Sequence, residues 1–168
     1  MSISKHIQML TRYKAWANDA LFQALSELPA NELITQRQIV FGNILRTLNH
    51  ILVIDLVWKA HLKHIPHEFT TRNPESTPLF SELREEQNNI DAWYVNYAGD
   101  LHPEALWEFV DFTFIGGGAG SMTRGDILFH VVNHATYHRG HIAAMIYQIP
   151  SHPPTTDLPV FFRENERA

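Results

Sequence analysis

A chain of 168 residues with 45% apolar content can bury a core of its own without staples. Charged residues make up only 18% and the formal net charge is -5 with histidines neutral. This is the wrong sign for a nucleic-acid binder, which needs clustered Lys and Arg for phosphate contacts. The absence of cysteine rules out disulfides, thiolate metal sites and a cysteine nucleophile.

The first predicted element is an amphipathic helix over residues 4–26. Ile7, Leu10, Tyr13, Trp16, Ala17, Leu21 and Leu25 recur in it at steps of three and four. Leu28-Pro29-Ala30-Asn31 closes it. A second helix is expected over residues 41–64, carried by Ile44, Leu48, Ile51, Leu52, Val57 and Trp58, with Gly42 and Asn43 near its start and Pro66 as its stop. Residues 65–78 are polar and contain Pro66, Pro74 and Pro78, so they read as a loop.

A third helix follows over residues 79–97. Leu83, Ile90, Trp93, Tyr94 and Tyr97 line one side, and Gly99-Asp100 ends it. Residues 107–115 are aromatic and β-branched and lead into Gly116-Gly117-Gly118-Ala119-Gly120, an irregular or strand-like excursion with a turn. The glycine run lacks the Lys-Ser/Thr of a phosphate loop. A fourth helix is predicted over residues 124–148, capped by Thr123 with Asp126. Pro150, Pro153, Pro154 and Pro159 are read as ending helical structure, and Leu158, Val160, Phe161 and Phe162 as packing the tail on the body. Four long helices in one domain over residues 1–168 give an all-α, four-helix bundle. No run of about 18 apolar residues exists, so no membrane span is expected, and the N-terminal stretch mixes charges into its apolar residues, unlike a signal peptide. The expected location is the cytoplasm.

The placement of 11 histidines carries the functional reading. His130, His134 and His138 step by four and His141 follows by three, forming one stripe on a helix. Two imidazoles at i and i+4 can reach one ion from one face. The best third ligand from another helix is His50, which sits among Leu48, Ile51, Ile54 and Val57, because a buried imidazole needs partners for its nitrogens. His61 lies about 16 Å further along that helix, too far to share the ion. A hydrogen-bonded core histidine competes with the metal reading for each residue, and His130 and His141 are alternative ligands. His6, His64, His67, His102 and His152 are expected in solvent near helix ends or loops. Asp55 is expected elsewhere on the second helix, and Arg139 either orients an anion or serves as an ion-pair partner.

The run Asn133-His134-Ala135-Thr136-Tyr137-His138-Arg139-Gly140-His141-Ile142 resembles the signature of the DinB/YfiT-like family of bacterial metal-binding bundles, H-x-x-x-H-R-G followed by Gln. Here His141 stands in place of that Gln. Leu48-Asn49-His50-Ile51 with Trp58, the opening Tyr13-Lys14-Ala15-Trp16-Ala17-Asn18 and the tail Thr156-Asp157-Leu158-Pro159 are similar to the family as well. The resemblance implies a four-helix bundle with an unusual connection between the second and third helices. It implies one divalent ion, zinc or nickel, on His50, His134 and His138, and a homodimer. It also implies chemistry of the thiol-transferase or isomerase kind, with a small-molecule partner such as a low-molecular-weight thiol, and an ion that activates water would equally serve a hydrolase. The catalytic expectation requires an open position on a three-histidine ion. The alternative is a non-catalytic, metal-stabilised bundle acting in stress response, sensing or partner binding.

Overall fold

The computed structural model describes residues 2–165. Four long helices form the body: α1 (Ile3–Ser26), α3 (Ile44–Leu62), α4 (Phe80–Asp100) and α5 (Arg124–Ile146). Short helices α2 (Ala30–Ile34) and α6 (Leu158–Asn165) flank them. Helix α1 packs on α4 and α5, and α3 packs on the same two, so the four close a ring around one core.

Local chemistry sets the ends. Ser2, Asn43 and Thr123 accept from the backbone N–H three residues on and start α1, α3 and α5. The expected second helix therefore begins at Ile44 rather than at Phe41, because Asn43 caps it. It also ends before Pro66. Ile65 N–H donates to the Ala60 carbonyl and His64 N–H to that of His61, with His64 at φ 53, a Schellman closure around a non-glycine residue. At the start of α4, Glu82 accepts from the Leu79 N–H at 2.8 Å.

The excursion after α4 is a 3-10 turn (Pro103–Trp107) and an antiparallel hairpin, β1 (Phe109–Thr113) and β2 (Ala119–Thr123). Along β1, Val110 and Phe112 are buried and the residues between them exposed. Gly116, Gly117 and Gly118 all have φ above +90°, which restricts the turn to glycine. Gly120 faces Phe112 across the strands, and a Cβ there would lie 2.5 Å from the Phe112 ring. The ring occupies the space that glycine vacates.

Two sequence expectations are corrected. Residues after Pro29 form the short helix α2, which buries Leu33. The prolines after α5 do not end helical structure. Pro159 lies in the first turn of α6, where its missing N–H costs nothing. That helix seats Phe161, 2% exposed, against Tyr13 and Trp16 with ring centroids 5.8 and 5.5 Å away. The tail packs on the body as expected, with Phe161 as the anchor. No helix among the described residues is long and apolar enough to cross a membrane.

Candidate metal centre

The histidine stripe of α5 faces α3. Ligand-capable nitrogens of His50, His134 and His138 lie within 4.8 Å of one another, and among the described residues they form the one such group of three. The Nε2 atoms of His50 and His134 are 3.0 Å apart. His138 packs edge-on to both rings, at 4.6 Å from His50 and 4.4 Å from His134 between centroids. Phe41, in the turn before α3, covers the His50 ring at 4.2 Å.

His50 Nδ1 lies 2.7 Å from the carbonyl oxygen of Arg72, in the loop between α3 and α4. A carbonyl only accepts, so Nδ1 carries the proton and Nε2 presents its lone pair to the other two rings. The donor set suits a divalent ion. Nδ1 of His134 and Nδ1 of His138 are buried without a hydrogen-bond partner, and two facing Nε2 atoms are best satisfied by a shared acceptor of lone pairs. Burial lowers the His134 pKa to about 2, aided by repulsion from His138, His50, His130 and Lys14. Burial, then His50 and His141, lower that of His138 to about 4. His50 is also lowered, by burial against the opposing Arg72 bond. The three rings are therefore neutral at physiological pH, which is the form that ligates.

The other histidines separate from this group. His130 packs against Trp58 at 5.0 Å and His134 at 5.7 Å, and His141 against Tyr137 and His138 at 4.5 and 5.2 Å. His61 joins Trp58, Phe112 and His67 instead. His6, His64, His102 and His152 are exposed, whereas His67 is half-buried, held there by His61 and Phe69.

A second polar cluster lies behind the centre. Lys14 of α1, fully buried, donates to Asp55 of α3 at 2.7 Å and to Asp91 of α4. Gln87 donates to both carboxylates, and Asn18 donates to Asp91. Arg139 donates to Asn18 Oδ1, the Tyr13 hydroxyl and Thr136 Oγ1. Arg139 is 5% exposed and hydrogen-bonds to neutral oxygens, so its link to the carboxylates is indirect: Asn18 joins it to Asp91, and Asp91 and Asp55 attract its charge. Burial opposes the Lys14 charge, but the two carboxylates outweigh it and hold its pKa above the ordinary lysine value. Asp55 is thus committed to Lys14 and does not reach the histidines. Sequence reasoning missed Lys14, Asp91 and Phe41. The spacing of Lys14 and Asn18 on the buried face of α1 was the available signal.

The comparisons agree with this architecture. A protein named Protein DinB from Bacillus subtilis (strain 168) is 29% identical over 167 residues, covering 95% of this chain and 96% of that one. A crystal structure of a DinB-like protein from Bacillus cereus ATCC 10987 superposes with a TM-score of 0.65 at 17% identity, over 86% of this chain and 91% of that one. The family model described as DinB family matches residues 1–167, and with the whole bundle so covered the chain belongs to the DinB family.

Proposed function

We propose that this protein is a divalent-metal-dependent enzyme of the thiol-transferase or hydrolase type, acting in the cytoplasm, with His50, His134 and His138 as its ligands and zinc or nickel as its ion. The observation that carries the reading is the donor set: three neutral imidazoles converge and no carboxylate among the described residues joins them. Three protein ligands leave a position for water or substrate. An ion held there would lower the pKa of a bound water or thiol and so provide a nucleophile near neutral pH. The chain itself contributes the fixed His50 tautomer, the dry wall of Phe41 and the neutral state of all three rings. A low-molecular-weight thiol as co-substrate accords with a protein that has no cysteine.

The same donor set supports a second reading. Asp55, on the same helix as His50, and Asp91 are locked on Lys14, and no carboxylate among the described residues joins the three histidines as a general base. This favours a metal-stabilised, non-catalytic bundle. One experiment separates the two. Protein purified without a nickel-binding tag is analysed for metal, then screened with small thiols plus electrophiles and with simple esters and amides, before chelation and after metal is restored. Turnover that disappears and returns with the ion supports the enzyme. Chelation that unfolds the chain, with no turnover in any screen, supports the structural role. We further propose a homodimer, for which the exposed rings of Trp107, Phe109 and Phe129 offer apolar surface. Sedimentation showing only monomer at micromolar concentration would overturn that.

A further inference from the structure

One to two turns along α3 from His50, a cleft rich in aromatic side chains lies between α3 and the hairpin, and the ligand set does not use it. On α3, His50, Ile54 and Trp58 step by four and share one face. Ile54 stands one turn from His50, about 6 Å along the axis, and Trp58 two turns, about 12 Å. On α5, His130 bridges the two regions, touching His134 on one side and Trp58 on the other. The hairpin roofs the far end: Phe112 packs edge-on to Trp58 at 4.8 Å and Phe114 edge-on to Phe112 at 5.0 Å. A cavity of about 220 Å³ lies there, and Ile54, Trp58, His61, Arg72, Phe112 and Phe114 are among the residues that line it. Arg72 is the residue whose carbonyl fixes His50, so one loop segment borders both centre and cleft.

We infer that this cleft is the specificity pocket of the centre and takes an apolar, ring-bearing or short-chain arm of a substrate whose reacting group sits at His50, His134 and His138. The inference rests on the metal-dependent reading above and adds the substrate class. The volume is below the roughly 300–1,000 Å³ of pockets that enclose a whole ligand, so the cleft accepts one arm of a molecule. Its walls are mainly aromatic and aliphatic, with His61, Arg72 and Thr113 the polar members, which suits an arm that is largely apolar. Its outer end opens past His61 into a wider depression of about 570 Å³ formed by the hairpin and the loop after α3, which gives the arm a way in. Gly120 sets the roof, because any side chain there would displace Phe112.

The test is calorimetric binding to the zinc-loaded protein of two metal-seeking probes that differ only in their arm, acetohydroxamate and 4-phenylbutanohydroxamate. The phenyl-tipped probe should bind at least about tenfold more tightly, the gain expected from burying one ring. Phe114→Ala, at a half-exposed position that the fold tolerates, and Phe112→Leu should each shrink that advantage to threefold or less. Acetohydroxamate affinity should stay unchanged in both variants. Equal affinity of the two probes for the parent protein overturns the cleft while leaving the centre standing, as does an undiminished advantage in both variants. Zinc that binds but accepts neither probe overturns the open-site reading, and the cleft assignment with it.

Discussion

The Nδ1 atom of His50 is bonded to the main-chain carbonyl of Arg72 at 2.7 Å, and this contact orients the imidazole toward His134 and His138. The acceptor belongs to the backbone, so the loop's path matters more than the Arg72 side chain, whose charge only adds to the lowering of the His50 pKa. Arg72→Ala should therefore leave zinc affinity within about threefold of the parent. Outer-sphere partners of a ligand are typically worth 10- to 100-fold in affinity, so removing residues 73–76, which re-routes the loop, should weaken binding by about that factor. Zinc titration of both variants checks the contrast.

Loss of a ligand should be sharper. His134→Ala and His138→Ala should each abolish stoichiometric metal binding while keeping helical content, because the core is built from residues such as Ile44, Leu128 and Ile142 rather than from the histidines. In the parent, free zinc at about a hundred times its Kd should raise stability by about 2.7 kcal/mol. The variants should show no such gain in thermal or denaturant melts, and an unchanged metal content in either would remove that residue from the ligand set.

Lys14 hydrogen-bonds directly to two buried carboxylates, which Arg139 attracts only from further away, so its removal should be costly. Lys14→Met leaves Asp55 and Asp91 facing each other in a dry interior and should cost about 3–5 kcal/mol in denaturant unfolding. Replacing all three charged groups together, by Lys14→Met with Asp55→Leu and Asp91→Leu, should recover much of that loss, since the unpaired charge rather than the missing ion pair is what destabilises.

The four long helices were legible because their apolar periodicity is strong, and the pairing of His134 with His138 because helical spacing alone puts them on one face. His50 could be placed on a buried face but not opposite the stripe without knowing how α3 packs on α5. Other features depended on contacts distant in sequence. The hairpin at residues 109–123 read only as an irregular or strand-like excursion because its apolar residues run nearly continuously and its second strand is Gly-rich, with Phe112 filling the space over Gly120. Helix α6 was hidden by Pro159, which is read as a breaker unless it falls in a first turn. The role of Lys14 was not legible on an amphipathic helix, since its partners come from α3 and α4.

Phe161 anchors α6 in a small cluster separate from the main core, with Met9, Tyr13, Ala17 and Val132. Phe161→Ala should cost about 3 kcal/mol, the lower end for a buried phenylalanine, because the pocket opens to solvent and can collapse. The Tyr13 hydroxyl, which donates to the Thr156 carbonyl at 2.9 Å, should lose its protection as the tail detaches. Hydrogen exchange confined to residues 156–165 and to α1 near Tyr13 would show this, and metal affinity should be unaffected.

The depressed histidines give the pH dependence a definite sign. In the unfolded chain an imidazole titrates near its ordinary value of about 6.5, whereas in the fold His138 is lowered to about 4 and His134 to about 2. Each folded pKa lies below its unfolded value, so the unfolded state binds more protons on acidification. The stability linked to these groups is fully present above about pH 6.5. It declines as pH falls from there toward 4 through His138, and declines further toward 2 through His134. Denaturant melts of the metal-free protein between pH 7.5 and 4 should show a steady fall, smaller in His138→Ala. Metal binding to the folded chain should behave differently. Protons compete for a ligand only below its folded pKa, so zinc affinity measured by equilibrium dialysis should fall less between pH 7 and 5 than ordinary imidazoles would give, because His134 and His138 stay unprotonated there, and drop further as 4 is approached. Three imidazoles with ordinary pKa values would instead lose affinity steeply from pH 6.5 downward, and that result would show that burial does not hold these rings neutral.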